Sequence, residues 1–506
     1  MGRSLRACIK CLWASITVSQ GSKQRSLLLL TAALLIVIFD STRALGQSAT
    51  SPFIIKPYLQ LGLESKQKED HGYSLVWFTQ EADNGNNVFK VTYKSESDKK
   101  ARQAASITER LINVPTVRAV CRHTARLDDI KAGESFSYSV EYAGKVVFSA
   151  TGKARTNKEQ ATRFAVFGDC GADTHGQRLV AKQCFKQKPD LLVIPGDVVY
   201  QRGLYSEYLS NFFPIYNGDK ESDSSVPLMR SIPIAAVLGN HDIALSGRGC
   251  DLDRFPEAMA YFFFWQSPLN GFGTTSGDSF PTLKGSIARQ EMLKKSAGDS
   301  FPTMANYSFD FGNSHWTVLD GNYYMNWSDV KIREWLEKDL KSVPEGKWKF
   351  VTFHQPAFSI DAPHGKEQRM RLVTDILQKY KVDLVLAGHS HCYERTRPIT
   401  FVPNDVTQMF KANADGTVHG DIQLDLQYDG KKRTQPKGII HIVTGAGGAR
   451  LYPIDNSYKP ERGHDWMLKY NSSVHSFTSM DLDGKTLKVK QIDQSGKVLD
   501  EFVITK

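Results

Sequence analysis

The sequence predicts an N-terminal all-β sandwich followed by an α/β domain of the layered α-β-β-α type. Three patterns predict it. Residues 53–156 hold short alternating runs such as Tyr73-Ser74-Leu75-Val76-Trp77-Phe78 and Ser135-Phe136-Ser137-Tyr138-Ser139-Val140, set between polar turns as at Asn84-Gly85-Asn86-Asn87. Short strands at that spacing are the mark of a sandwich. From Phe164 onward, continuous apolar runs alternate with segments whose apolar residues recur every three or four positions, as in buried strands covered by helices. The chain then returns to strand-like runs at 439–444, 476–482, 486–492 and 498–504.

The ends and the joint come next. Residues 27–39 are nearly all apolar, with Arg3, Arg6, Lys10, Lys23 and Arg25 before them and Ala44-Leu45-Gly46 after. That order predicts a secretory signal peptide over 1–46 and a secreted or periplasmic protein. The run is shorter than the roughly 20 apolar residues of a membrane span; an uncleaved anchor is the alternative, and the one route to a membrane. Six basic residues and one acidic one fall in 1–46, so half of the formal net charge of +10 belongs to that segment. The remainder is modest, and no nucleic-acid partner is expected. Five cysteines follow it (Cys121, Cys170, Cys184, Cys250 and Cys392), an odd number that leaves at least one without a partner in the chain. A polar linker is expected over 153–163. The domains are therefore 53–156 and 164–506.

Within the second region the predicted strands are 164–167, 191–194, 232–238, 350–353 and 384–387, and the predicted helices 177–187, 329–342 and 367–381. Residues 201–230 and 243–303 are long excursions, the second carrying Tyr261-Phe262-Phe263-Phe264-Trp265. Loops of that length are expected to act as lids.

The chemistry lies at the strand ends. The five strands run into Asp169, then Asp197 and Tyr200, then Asn240 and His241, then His354, then His389 and His391. Sites in α/β sheets form beyond the carboxyl ends of strands. Strands lying side by side would gather these oxygens and imidazoles in one crevice, a mixed donor set suited to iron, zinc or manganese. Each motif alone is weak: Gly196-Asp197 is a common turn, and Asn240-His241 could cap a helix. The weight comes from all five in order.

Asp169-Cys170-Gly171, Gly196-Asp197-Val198-Val199-Tyr200, Gly239-Asn240-His241-Asp242, Val351-Thr352-Phe353-His354 and Gly388-His389-Ser390-His391 resemble the five ordered motifs of the purple acid phosphatases, within the calcineurin-like metallophosphoesterases. Gly171 and Tyr200 stand where the broader superfamily has another pattern. Lys56-Pro57-Tyr58-Leu59-Gln60 and Val76-Trp77-Phe78-Thr79 resemble the fibronectin-III-like domain that precedes the catalytic domain in some members. The resemblance implies that Asp169, Tyr200 and His391 hold Fe(III). It implies that Asn240, His354 and His389 hold a divalent ion (Fe, Zn or Mn), and that Asp197 bridges the two. His241 is expected to bind phosphate or protonate the leaving group, oriented by Asp242; His364 is a second catalytic and substrate-binding candidate, and Asn240 is expected to bind substrate too. His175 and His315 read as structural, Arg395 as an anchor behind the ligands, and Cys170 and Cys392 as buried.

Such a centre fits phosphate-ester hydrolysis by a metal-bound hydroxide, because paired cations acidify water and neutralise phosphoryl oxygens. The expected activity is that of an acid phosphatase on small phosphorylated substrates. A phosphodiesterase or nucleotide hydrolase with the same centre is the alternative. A non-catalytic binding protein is a third reading, against which the intact ligand set speaks.

Overall fold

Alternating apolar side chains build the first region, as seen in a computed structural model that describes residues 51–63, 72–80, 89–111, 120–246, 249–272, 280–407, 416–452 and 464–506. The predicted signal peptide and the Asn84-to-Asn87 turn lie outside the described residues. Strands β1 (Phe53–Gln60), β2 (Tyr73–Gln80), β3 (Phe89–Ser95), β4 (Arg102–Leu111), β5 (Val120–Leu127), β6 (Ser135–Tyr142) and β7 (Lys145–Lys153) pair antiparallel in the order β1-β2-β5-β4-β3-β6-β7. β4 pairs with β3 through its first residues and with β5 through its last. One strand thus serves both halves of the sandwich. Leu59, Leu75, Trp77, Phe89, Val91, Tyr138 and Val140 fill the interior.

β2 departs from simple alternation, being buried at every residue but Gln80. Its second face, with Val76 and Phe78, packs into the apolar core of the following domain together with Tyr58. Phe78 meets Phe264 edge-on, with centroids 5.2 Å apart. The Tyr58 hydroxyl donates to the Phe264 carbonyl at 2.6 Å. The aromatic run Tyr261–Trp265 is therefore the seat of the sandwich and not a lid. Burying aromatic side chains is worth roughly 2–3 kcal/mol each, which explains an excursion this apolar.

The second region stacks two sheets. Parallel strands β8 (Thr162–Val166), β9 (Leu191–Ile194) and β10 (Ile234–Ala236) share a sheet with the C-terminal strands β23 (Ser476–Asp483), β24 (Thr486–Asp493) and β25 (Val498–Thr505). β23 runs antiparallel beside β8, so the chain's last segment completes the domain that its middle begins. The expected linker over 153–163 shrinks to the residues between β7 and β8. The facing sheet has the order β14-β15-β16-β17-β21-β18-β22. Its strands are β14 (Tyr307–Phe311), β15 (Ser314–Leu319), β16 (Trp348–Phe353), β17 (Leu384–Ala387), β18 (Tyr393–Thr396), β21 (Ile440–Thr444) and β22 (Met467–Asn471). Phe164, Val166, Leu191, Val193, Trp316, Phe350, Leu384 and Ile440 fill the space between the sheets.

Helices cover the outer faces. His175–Lys186 starts at Thr174, whose side chain accepts from Gln177 N, and Val330–Ser342 starts at Asp329, which accepts from Lys331 N and Ile332 N. The helix expected over 367–381 is broken into a 3-10 segment, Arg369–Val373, and a short helix, Thr374–Lys379. Its expected first turn is not helical because Glu367 reaches into the site described below.

His315 is structural, as expected. It is clamped between Asp310 (2.7 Å) and Asp339 (3.1 Å), which ties β15 to the helix Val330–Ser342. Burial alone would lower its pKa, but the two carboxylates push it up to about 9. The folded value lies above the ordinary 6.5. The clamp's stability is thus complete below that value and is lost as pH rises through about 9. The rise corresponds to about 3 kcal/mol. In urea unfolding, His315→Gln should cost most near pH 6 and least above pH 9; an equal loss at both would refute the charged clamp.

Candidate metal centre

The two sheets meet at their carboxyl edges, where the turns bearing the candidate ligands gather. Asp169 follows β8, Asp197 and Tyr200 follow β9, and Asn240 follows β10; His354 follows β16, and His389 and His391 follow β17. The crevice therefore lies between two sheets, and not along neighbouring strands of one. Asp169, Asp197 and His389 adopt left-handed backbone angles, φ 58°, 49° and 69°, a conformation sparsely populated by non-glycine residues and concentrated at functional sites. Gly196 lies at φ 82° against the His354 ring, which a Cβ would strike. Glycine is required there for the ligand to approach.

Donor atoms converge in two groups. His354 Nε2 lies 3.2 Å from Asp197 Oδ1, 3.1 Å from Asn240 Oδ1 and 3.2 Å from His389 Nδ1. The Tyr200 hydroxyl lies 3.0 Å from Asp169 Oδ1 and 2.9 Å from His391 Nε2. Asp169, Asp197 and His354 also gather their donor atoms within 4.8 Å of one another.

The outer bonds fix which ring nitrogen faces inward. His354 Nδ1 pairs with the Pro195 carbonyl at 2.8 Å, His391 Nδ1 with the Arg450 carbonyl at 2.7 Å, and His389 Nε2 with Glu367 Oε2 at 3.1 Å. Each imidazole thus turns its other nitrogen toward the neighbouring donor side chains, the arrangement seen in metal-ligating histidines. A cation about 2.1 Å from each donor sets neighbouring donors roughly 3.0–3.4 Å apart. The spacing and chemistry of these seven side chains fit two cations.

Electrostatics agree. Burial opposes ionisation of Asp197, yet His354, His241 and His389 hold its carboxyl well below the usual range. Burial likewise lowers His354, but Asp197 overrides it and raises the imidazole to about 10. His389 is pushed down to about 4 by burial against the pull of Glu367. Burial, Asp169 and Asp197 raise the Tyr200 phenol well above its usual value. A proton on His354 balances Asp197 in the protein alone, and a cation can replace it.

Asp242 does not orient His241, contrary to expectation. It is fully buried, and its carboxylate accepts from Gly239 N (2.8 Å) and Val198 N (2.9 Å). It therefore braces the Asn240 turn against the Asp197 turn. Removing it leaves two buried amides unpaired, a loss of about 2–4 kcal/mol. Asp242→Ala should unfold at lower denaturant and retain less metal; stability within about 0.5 kcal/mol of wild type would exclude the bracing role.

His241 bonds through Nδ1 to the Gln201 carbonyl at 2.8 Å, and its ring lies over Tyr200 with centroids 4.5 Å apart. His364 comes to the same rim, its ring centroid 3.9 Å from that of His389. Its Nδ1 meets Glu367 Oε1 at 2.9 Å and its Nε2 the Tyr452 hydroxyl at 3.1 Å. Glu367 and Tyr452 escape the motif reading, although Tyr452 stacks on His391 at 4.3 Å. For Glu367 the three-residue step from His364 is the only sequence signal. Arg395 is not behind the ligands: it pairs with Asp500 at 2.6 Å and braces β18 against β25. Cys170 and Cys392 are buried, as expected.

A calcineurin-like phosphoesterase family model matches residues 162–393, and an iron/zinc purple acid phosphatase-like C-terminal model matches 438–501, between them more than half of the chain. The chain belongs to the calcineurin-like metallophosphoesterases, in the purple acid phosphatase family. Purple acid phosphatase 15 of Arabidopsis thaliana is 26% identical over 365 residues, covering 68% of this chain and 62% of the relative. Probable inactive purple acid phosphatase 1 of the same organism is 23% identical, covering 76% of this chain and 57% of the relative. The chain thus spans about three fifths of the length of these relatives. The structure of purple acid phosphatase PPD1 from yellow lupin seeds matches with a TM-score of 0.60 at 18% identity, over 89% of this chain and 74% of that one, a likeness of fold.

Proposed function

We propose that this family member hydrolyses phosphate monoesters at a binuclear centre of Fe(III) and a divalent ion (Fe, Zn or Mn), in the manner of an acid phosphatase. The observation that supports it most is the pair of donor groups joined through Asp197 at ion-ligating spacing. Bound cations would acidify water and neutralise charge on the phosphoryl oxygens. Asp169, Tyr200 and His391 would hold one, Asn240, His354 and His389 the other, with Asp197 between. His241 presents Nε2 toward the ester and delivers a proton to the leaving oxygen; the Asn240 amide and His364 help seat the phosphoryl group. Small phosphorylated molecules are the substrates, without nucleic acid, and the basic-apolar-small pattern of 1–46 supports a secreted or periplasmic location.

The test is hydrolysis of a chromogenic monoester and the matching diester by the full chain across pH, with a chelated control. Monoester turnover with an acidic optimum should fall at least about 100-fold on chelation and return with added metal. Diester preference would move the function to a phosphodiesterase. Absence of turnover with two metals bound would place the chain with its relative named inactive. A visible band lost in Tyr200→Phe would assign iron to the Tyr200 side.

A further inference from the structure

The segment that follows β21 runs beside the candidate metal centre. Gly447 N donates to the Gly168 carbonyl at 3.2 Å and Ala449 N to the Asp169 carbonyl at 2.7 Å, which fastens this segment to the Asp169 turn. A Cβ at Gly445 would strike both the Ser390 carbonyl and the Asp169 carboxylate. Glycine there lets the segment lie against the Asp169 turn and the His389–His391 turn at once. The residues that come next clamp His391. The Arg450 carbonyl takes its Nδ1 at 2.7 Å, and Tyr452 N reaches its carbonyl at 3.4 Å.

That clamp decides where the Tyr452 side chain goes. Its ring lies on the His391 ring, with centroids 4.3 Å apart and planes within 7° of parallel. Its hydroxyl meets His364 Nε2 at 3.1 Å. His364 is held at Nδ1 by Glu367 Oε1, at 2.9 Å, and its ring centroid stands 3.9 Å from that of His389. Tyr452 therefore spans the rim from the donor group of Asp169, Tyr200 and His391 to that of Asn240, His354 and His389. Phenylalanine would cover His391 as well. What tyrosine adds is a hydroxyl on the rim between the two groups.

A phenol keeps its proton at neutral and acidic pH. With the Glu367 carboxylate accepting from His364 Nδ1, Nε2 is an acceptor and the Tyr452 hydroxyl donates to it. A charged phosphoryl oxygen is the stronger acceptor, by roughly twofold in energy. The hydroxyl hydrogen turns about its C–O bond, so it exchanges one acceptor for the other while the ring stays on His391. We propose that Tyr452 is a catalytic residue: its hydroxyl, placed by His364, donates to an oxygen of the phosphoryl group lying across the two donor groups. The inference rests on the phosphatase reading and assigns a residue outside the five motifs. His364 is then a positioning residue for the phenol, with Glu367 bracing it from behind.

The experiment titrates the metal-loaded full chain with orthophosphate by calorimetry, alongside turnover of p-nitrophenyl phosphate and metal analysis. Tyr452→Phe should keep its metal and lose about tenfold or more in orthophosphate affinity, with a similar loss in kcat/KM, because a hydrogen bond to a charged group disappears while the stack remains. His364→Ala should weaken orthophosphate binding in the wild-type background but change it less than about twofold in the Tyr452→Phe background, because it acts through the phenol. Orthophosphate affinity of Tyr452→Phe within about twofold of wild type, or loss of its metal, would overturn the proposal. An undiminished His364→Ala effect in that background would overturn the placing of the phenol by His364. A wild-type holoprotein that binds orthophosphate but hydrolyses no ester would refute the phosphatase reading alone, since the affinity difference still reports on Tyr452. One that binds no orthophosphate would overturn both.

Discussion

Asp197→Asn should leave the protein folded and its centre empty or half-filled. The position tolerates the change locally. Its φ of 49° lies in the region that asparagine enters more readily than most residues, and an amide oxygen can still accept from His241 N as Oδ1 does at 2.9 Å. What disappears is charge at the joint between the two donor groups. Asp197 holds the proton of His354, and by the resemblance it belongs to both cations. A neutral amide serves neither role. Loss of a partner outside the ligand shell costs 10–100-fold in affinity or activity, so removing the shared ligand should cost more than about 100-fold in turnover. Metal analysis should give fewer than two ions per chain. A variant with two ions and turnover within about tenfold of wild type would remove Asp197 from the bridge.

The donor side chains are legible in the sequence because each is local: a buried strand, a tight turn, a polar side chain. β9 and β17 match their expected limits, Leu191–Ile194 and Leu384–Ala387. What no short window carries is which surface covers which. Tyr261–Trp265 read as a lid because its partner, the outer face of β2, lies far away in sequence. Which of the two layers each strand joins is equally hidden, because periodicity reports burial on both faces without naming the covering layer. Asp242 looked like a companion of His241 by adjacency, yet neighbours on a 3-10 turn point apart, and its carboxylate went inward to two amides. Glu367 was hidden inside an expected helix because its pull toward His364 and His389 is a tertiary contact.

His241→Ala should separate chemistry from metal retention. The imidazole is not among the seven donors at ion spacing: Nε2 stands 3.9 Å from Asp197 Oδ2, with about a third of the side chain (32%) exposed. The Gln201 carbonyl takes the Nδ1 proton, so Nε2 is the nitrogen left to face an ester. A group so placed acts on the leaving oxygen, which must gain a proton as the P–O bond breaks, and positioned acids of this kind contribute about 10²–10⁴-fold. The variant should therefore lose about 100-fold or more in kcat with its metal content unchanged. Leaving-group basicity supplies the sharper test. An ester with an acidic leaving group such as p-nitrophenol needs little protonation and should suffer less than an alkyl phosphate, whose alkoxide needs it most. Equal losses on both esters would reduce His241 to a phosphate-binding group, and loss of metal would make it part of the ligand scaffold.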